Sequence, residues 1–438
     1  MSGRFWSRGV LMLAALALTA CAARPGPSPT EPAADRGPGR IAYLGYDGNV
    51  YVSDADGGGR RPITADARVG AGGYLIYNTP IWSADNRQLA FAAYEGQGNQ
   101  NPSLNRLFVA SADGAALREA YASPAFMIYY YWSPDAGRVG LLSEAPRQTL
   151  AFSLVPADGG PPQMVDTGAP FYWTWAPDGR AALVHANGEA GRLALLEFGE
   201  TIIESSLDVV PTAFKAPAFS PDGRQVLVAG QTADGGAALL LVERDGRGVR
   251  TLAETEDEVA FAWSPDGRRV AYLDAAQLAG PLVVLDLAGR ADPVTVREEV
   301  FAFFWSPDGR SLAYLVQTQA APGSGQPELA WQLRLLDAAS GETRTALTFQ
   351  PTDHFLRLLP YFDQYHQSLT IWSPDSRRLV VPALECDDDQ GEEALIAWPA
   401  GRRASHCQGA PGLWVVPVEG GGEPRRIADA VMGVWSWR

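Results

Sequence analysis

From about residue 40 to the end, apolar residues fall in short runs, each stopped by a polar turn. The clearest example is Val259-Ala260-Phe261-Ala262-Trp263, then Ser264-Pro265-Asp266-Gly267, then Arg268-Arg269-Val270-Ala271-Tyr272. Runs of that length, rich in aromatic and β-branched residues, predict strands rather than helices. In the turn, Pro fixes φ, Asp bonds nearby backbone, and Gly is free to take a positive φ. Copies begin at Trp82, Trp132, Trp175, Phe219, Trp263, Trp305 and Trp372, with a truncated one at Trp435-Ser436-Trp437-Arg438, spaced by 50, 43, 44, 44, 42, 67 and 63 residues.

After each turn, two further apolar runs and a second turn complete four short strands, as in Leu107–Ala110 behind Ser111-Ala112-Asp113-Gly114. Four antiparallel strands per unit of about 40–45 residues is the signature of a β-propeller blade. Gly37-Pro38-Gly39-Arg40-Ile41-Ala42-Tyr43 reads as the turn and second strand of a unit lacking its first strand, and Met432–Trp435 as a first strand lacking the rest. The expected fold is therefore all-β, an eight-bladed propeller of four-stranded blades closed by its N- and C-terminal strands, with seven blades as the alternative.

Ahead of this array, Arg4 and Arg8 precede an apolar run from Val10 to Ala20, too short to span a bilayer comfortably and flanked like a secretory signal. Leu18-Thr19-Ala20-Cys21 resembles the bacterial lipobox, which implies cleavage and lipidation at Cys21; an ordinary export signal is the alternative. The expected organisation is a lipoprotein signal peptide over 1–20, a lipidated Cys with a Pro/Gly-rich tether over 21–39, and the propeller over 40–438. The tether reaches on the order of 50 Å where Pro keeps it extended.

The net charge of −15, which becomes −17 without Arg4 and Arg8, argues against nucleic acid and against a polybasic membrane-binding face. Any membrane contact is expected through the lipid alone. Cys386 and Cys407 share one insertion. In an exported protein they allow a disulfide of about 3 kcal/mol, with two free thiols as the alternative.

The repeated Trp-Ser-Pro-Asp-Gly-Arg followed by Val/Leu-Ala-Tyr resembles the WD40-like repeat of TolB-type propellers across about residues 37–438. That resemblance implies protein partners at the cell envelope. Several copies depart from it: Ala84 and Asn86 replace Pro and Gly in the first, Ala176 replaces Ser in the third, Phe219 replaces Trp in the fourth, and Ser376 replaces Gly in the seventh. In the second, Asp135-Ala136-Gly137 reads as carrying one extra residue.

Loop lengths suggest where function lies. Strand one-to-two and three-to-four turns stay short, whereas expansion falls in two-to-three and blade-to-blade connections, at Glu95–Ser103, Gln317–Ala330, Phe349–Gln367 and Glu385–Pro411. These share one face of a propeller, and long loops on a rigid scaffold tend to carry recognition. The 349–367 stretch supplies His354, Tyr361, Tyr365 and His366, read either as a binding surface or as a self-packed cap. At the channel mouth on the same face, Tyr77, Asn78, Tyr129, Lys215 and Glu258 are candidates; Lys215 is the only Lys in the chain. The competing reading packs these aromatics between blades. His185, in a predicted second strand, is read as structural.

Asp387, Asp388, Asp389 and His406 are weak metal candidates because they lack a recognised ligand spacing, and consecutive acids usually form a solvated face. Asp54-Ala55-Asp56-Gly57 fits a turn better than a calcium loop. No Gly-x-Ser-x-Gly elbow occurs and no catalytic constellation stands out, so no cofactor is expected. The sequence thus points to an exported, lipid-anchored, non-catalytic module binding an envelope protein or small ligand. The alternative is a propeller hydrolase or lyase with its site at the channel mouth.

Overall fold

The computed structural model describes residues 37–98, 100–188, 191–256, 258–274, 279–319, 329–384, 410–419 and 422–438. The candidate residues Cys21, Cys386, Asp387, Asp388, Asp389, His406 and Cys407 lie outside the described residues.

The repeat units are antiparallel sheets in which sequence neighbours pair. One is Met127–Trp132, Arg138–Ala145, Thr149–Pro156 and Gln163–Gly168; the next is Phe171–Trp175, Ala181–Ala186, Arg192–Phe198 and Ile202–Ser206. Inner strands are buried on both faces: Ala181–Ala186 is buried throughout. The outermost strand Ile202–Ser206 is mostly exposed. Burial therefore falls from the inner strands to the rim, as expected of sheets stacked face to face. In two places a long strand serves two sheets. Val294–Trp305 pairs with Gly280–Asp286 through its first half and with Ser311–Gln319 through its second.

The Ser-Pro-Asp-Gly turn follows one hydrogen-bond plan. At Ser264, the hydroxyl donates to Asp266 Oδ1 (2.6 Å) and accepts from Arg269 N (2.9 Å), while Arg268 N donates to Asp266 Oδ1 (3.0 Å). Gly267 takes φ +68°, and its divergent equivalents Asn86 (60°), Ala136 (56°) and Ser376 (61°) take the same left-handed conformation. The sequence reading of Asp135-Ala136-Gly137 needs correction: Ala136 replaces Gly, and no residue is added. Ser133 N donates to Arg138 O as Ser264 N donates to Arg269 O, five residues on in both copies. At Asp54–Gly57 the backbone also forms a turn, with Gly57 N donating to Asp54 O.

Adjacent blades are joined by the repeat tryptophans. Trp132 Nε1 donates to Ile81 O, Trp263 to Ala218 O, Trp305 to Ala262 O and Trp372 to Phe304 O. In every case the acceptor is the carbonyl just before the repeat aromatic of the preceding blade. Trp82 Nε1 makes the same bond to Val434 O, before Trp435. Trp175 keeps its indole but not the bond, and its buried Nε1 has no hydrogen-bond partner among the described residues.

The two ends of the described chain share a sheet. Arg425–Trp435 pairs with Pro411–Pro417 through residues 425–429 and with Arg40–Gly45 through residues 430–435, placing Ile41 opposite Trp435. The turn there is assembled from both ends: Arg40 N donates to Ser436 Oγ (2.9 Å) and Ser436 N to Arg40 O (2.8 Å), while Gly39 takes φ +73° in the position Gly267 occupies elsewhere.

Two expected loops are shorter than the sequence suggests. Strands Gln88–Gly96, Ser311–Gln319 and Leu329–Asp337 run into the ranges read as Glu95–Ser103 and Gln317–Ala330, because each pairs residue by residue to its end. The first strand ahead of Trp82 is broken: Gly73–Tyr77 and Ile81–Trp82 both pair with Gln88–Gly96, separated at Pro80, which has no N–H for the ladder. Phe349–Gln367 is not irregular either. It contains helices α1 (Asp353–Leu358) and α2 (Phe362–Tyr365), too short to stand without tertiary packing.

Candidate functional site

The connection from Gln350 to Ser368 enters among the first strands and bonds to several of them. Thr352 caps α1, accepting from Phe355 N, while its hydroxyl donates to Val431 O (2.7 Å) beside Trp435. His354 Nε2 lies 2.6 Å from Thr79 Oγ1 near Trp82. Tyr129 Oη donates to Gln364 O (3.1 Å), with the Tyr365 ring edge-on 4.5 Å from its own. Gln367 Nε2 donates to Thr174 Oγ1 (2.6 Å). Phe362 packs edge-on against Phe303 at 5.0 Å, and α2 touches Val259–Trp263. Phe355, Leu359 and Phe362 are buried. The segment thus packs as a plug against neighbours on many sides.

A polar cluster sits at the edge of the plug. Lys215 Nζ is 3.2 Å from Glu258 Oε2, with the Lys side chain 18% exposed and the Glu 61%. An ion pair this open adds under about 1 kcal/mol, so its positioning of charge matters more than its stability. Asp363, at the start of α2, is buried, and its Oδ1 accepts from Gln364 N (3.0 Å). Burial pushes its carboxyl above the ordinary carboxylate range, and the Lys215 charge works against that rise. Tyr172 stacks on Phe214 at 4.6 Å; burial pushes its hydroxyl up, and the charge of Asp363 adds to the effect. Tyr361 stands at the surface beside them, 49% exposed. The cluster thus combines one exposed carboxylate, one ammonium, one buried carboxyl and two phenols.

The remaining candidates separate. Tyr77 is buried among Phe91 and Phe108, its hydroxyl donating to Asp66 (2.8 Å), and so packs between sheets. Asn78 turns its Oδ1 onto Thr79 N (2.7 Å), a local backbone role. Tyr129, Tyr365 and His354 hold the plug rather than face an opening. Burial lowers the His354 imidazole to a pKa of about 4, with Arg357 adding to the effect. His366 donates from Nδ1 to Asp363 O, and burial lowers its pKa despite that bond. His185 lies 3.0 Å from Lys215 O and helps fix the segment carrying the Lys. Sequence reading did not single out Asp363, Gln364 or Gln367. Their position next to His366 was visible, but nothing local marks them as buried.

No family model matches the chain, and no curated protein matches it. Solved structures do match. A dihydro-heme d1 dehydrogenase, NirN, in complex with DHE aligns with a TM-score of 0.52 at 13% identity, covering 91% of this chain and 75% of that one. A eukaryotic initiation factor aligns at 0.51 and 11% identity, covering 92% and 98%. A putative TolB from Agrobacterium tumefaciens aligns at 0.36 and 16% identity, covering 71% and 88%. At these identities the likeness concerns the fold alone. The four-stranded antiparallel sheets and their repeat-by-repeat packing define a β-propeller.

Proposed function

We propose that this protein is an exported, lipid-anchored, eight-bladed propeller acting as a non-catalytic recognition or scaffold module at the cell envelope. The turn shared by Gly39 and Ser436 and the indole bond from Trp82 to Val434 support closure through the terminal strands. The observation that carries this reading is that Gln350–Ser368 bonds to residues in or beside first strands of several sheets, and we read it as filling the channel end on the long-loop side. A filled mouth with an outer cluster of Lys215, Glu258 and Tyr361 suits docking of a protein partner or a small ligand bearing both charge and an aromatic face. The chain enters the fold at Gly39, among the Ser-Pro-Asp-Gly turns, on the side opposite the long loops. Proximity labelling from the anchored protein tests this: a partner should be recovered with the native protein and lost with Lys215→Glu combined with Tyr361→Ser. No partner in either case refutes it.

One observation favours the enzyme reading, a hydrolase or lyase at the channel mouth. A buried carboxyl that burial holds above the ordinary carboxylate range, against the opposing charge of Lys215, is the kind of group a general acid requires. Turnover in a substrate screen, abolished by Asp363→Asn in a protein that still melts cooperatively, would establish it.

A further inference from the structure

On the turn side, beneath the plug, lies a cavity of about 250 Å³. Its walls include the indoles of Trp305, Trp372 and Trp437 and the turn prolines Pro265, Pro307 and Pro374; His366 and Leu369 of the plug region line it too. Among the described residues, no Asp, Glu, Lys or Arg lines it. An uncharged wall of indole and proline rings selects apolar, weakly hydrated rings and leaves a charged side chain such as Glu31 outside, in water. Aromatic-lined sites of this kind take extended proline-rich chain, which has no internal hydrogen bonds to lose and little conformational entropy to surrender.

The sequence carries such a stretch a few residues ahead of Gly37. Residues 25–32 read Pro-Gly-Pro-Ser-Pro-Thr-Glu-Pro, and the described structure begins at Gly37, just beyond them. Gly39 is pressed against two residues of the cavity wall: a Cβ there would lie 2.7 Å from Pro374 Cγ and 2.8 Å from Ser436 Oγ. From Gly37 back to Pro32, at about 3.1 Å per residue in the polyproline conformation, the chain covers roughly 15 Å, enough to turn into the opening. We infer that the cavity is the docking site of the protein's own Pro25–Pro32 segment. The connection is short, so docking is intramolecular, at an effective concentration on the order of 1 mM. For an intrinsic Kd of about 0.1 mM the segment is docked in about nine molecules of ten, and a competing peptide binds about tenfold more weakly than to an empty cavity.

The test uses the full chain and a synthetic peptide spanning Arg24–Ala33. Calorimetry and Trp emission measure its binding to the native protein and to a variant with Pro25→Ser, Pro27→Ser, Pro29→Ser and Pro32→Ser, which keeps chain length. The expected result is binding about tenfold tighter to the variant, removed when Trp437→Ala or, separately, Pro307→Ser is added, with thermal melts confirming that each protein is folded. Equal affinity for native and variant protein, no binding to either, or binding indifferent to both cavity substitutions overturns the inference. So does a concentration-dependent dimer that the four Ser substitutions abolish, because the segment would then occupy a neighbour's cavity.

Discussion

Replacing Phe362 with Ala tests whether the plug is structural. Its ring is only 4% exposed and meets Phe303 at 5.0 Å and Phe304 at 6.1 Å. Losing the apolar surface costs about 2–3 kcal/mol. The void adds about 1–2 kcal/mol, towards the upper end, because Phe303 and Phe304 already border the turn-side cavity and cannot close in from both sides. The expected total is about 4 kcal/mol. At about 2.1 cal/mol/K of unfolding entropy per residue over roughly 400 residues, this lowers Tm by about 5 °C. Circular dichroism and Trp emission should report it together, since the plug joins strands from most of the array. Tyr361→Ala, on the same segment but half exposed, should move Tm by less than about 1 °C. A Phe362→Ala shift as small as that control would mean that the segment is not packed among the first strands, and the filled channel mouth would have to be abandoned.

Three further outcomes are expected. The fold holds His354 neutral to about pH 4, whereas an unfolded imidazole takes up its proton near 6.5, so stability is present above 6.5 and falls as pH drops towards 4; the loss should reach about 3 kcal/mol and be smaller in His354→Gln, read from urea midpoints at pH 7.5 and 4.5. Trp263→Phe leaves Ala218 O without its indole donor and should cost about 1 kcal/mol more than Trp175→Phe, whose indole has no bond to lose, as compared by chemical denaturation. Ala176→Ser supplies the hydroxyl missing from the third turn, where Arg180 N already bonds Asp178 Oδ1 (2.9 Å), and should raise stability by about 0.5–1 kcal/mol; an unchanged or lower denaturation midpoint refutes this.

The strands were legible because each turn announces itself. Ser, Asp and Gly occupy positions whose hydrogen bonds and positive φ follow from residue type, and the surrounding Trp and β-formers leave little choice of element. Where type and position part, reading falters: Ala136 occupies a left-handed position that Gly normally fills, so the copy looked a residue too long. Lys215 and Glu258 drew notice as a lone Lys and an acid in the next repeat, and they meet at 3.2 Å. Asp363 drew none. Its burial comes from strands far away in sequence that surround a helix of four residues, and no local periodicity encodes such surroundings. Tyr77 illustrates the converse: its place before a first strand suggested the channel, but the chain breaks at Pro80 and the ring turns between sheets.

The turn that joins Gly39 and Arg40 to Ser436 also bears on the order of events during folding. Strands Arg40–Gly45 and Val50–Asp54 are made well before the inner neighbour of the first, Ala430–Trp435, which lies far along the sequence. That hairpin must wait with one edge bare until the distant strand has left the ribosome, and contacts of such separation are slow to find. A product that stops before Ala430 would keep most of its hydrophobic surface and still lack this pairing, an open edge that chaperones and proteases are well placed to recognise.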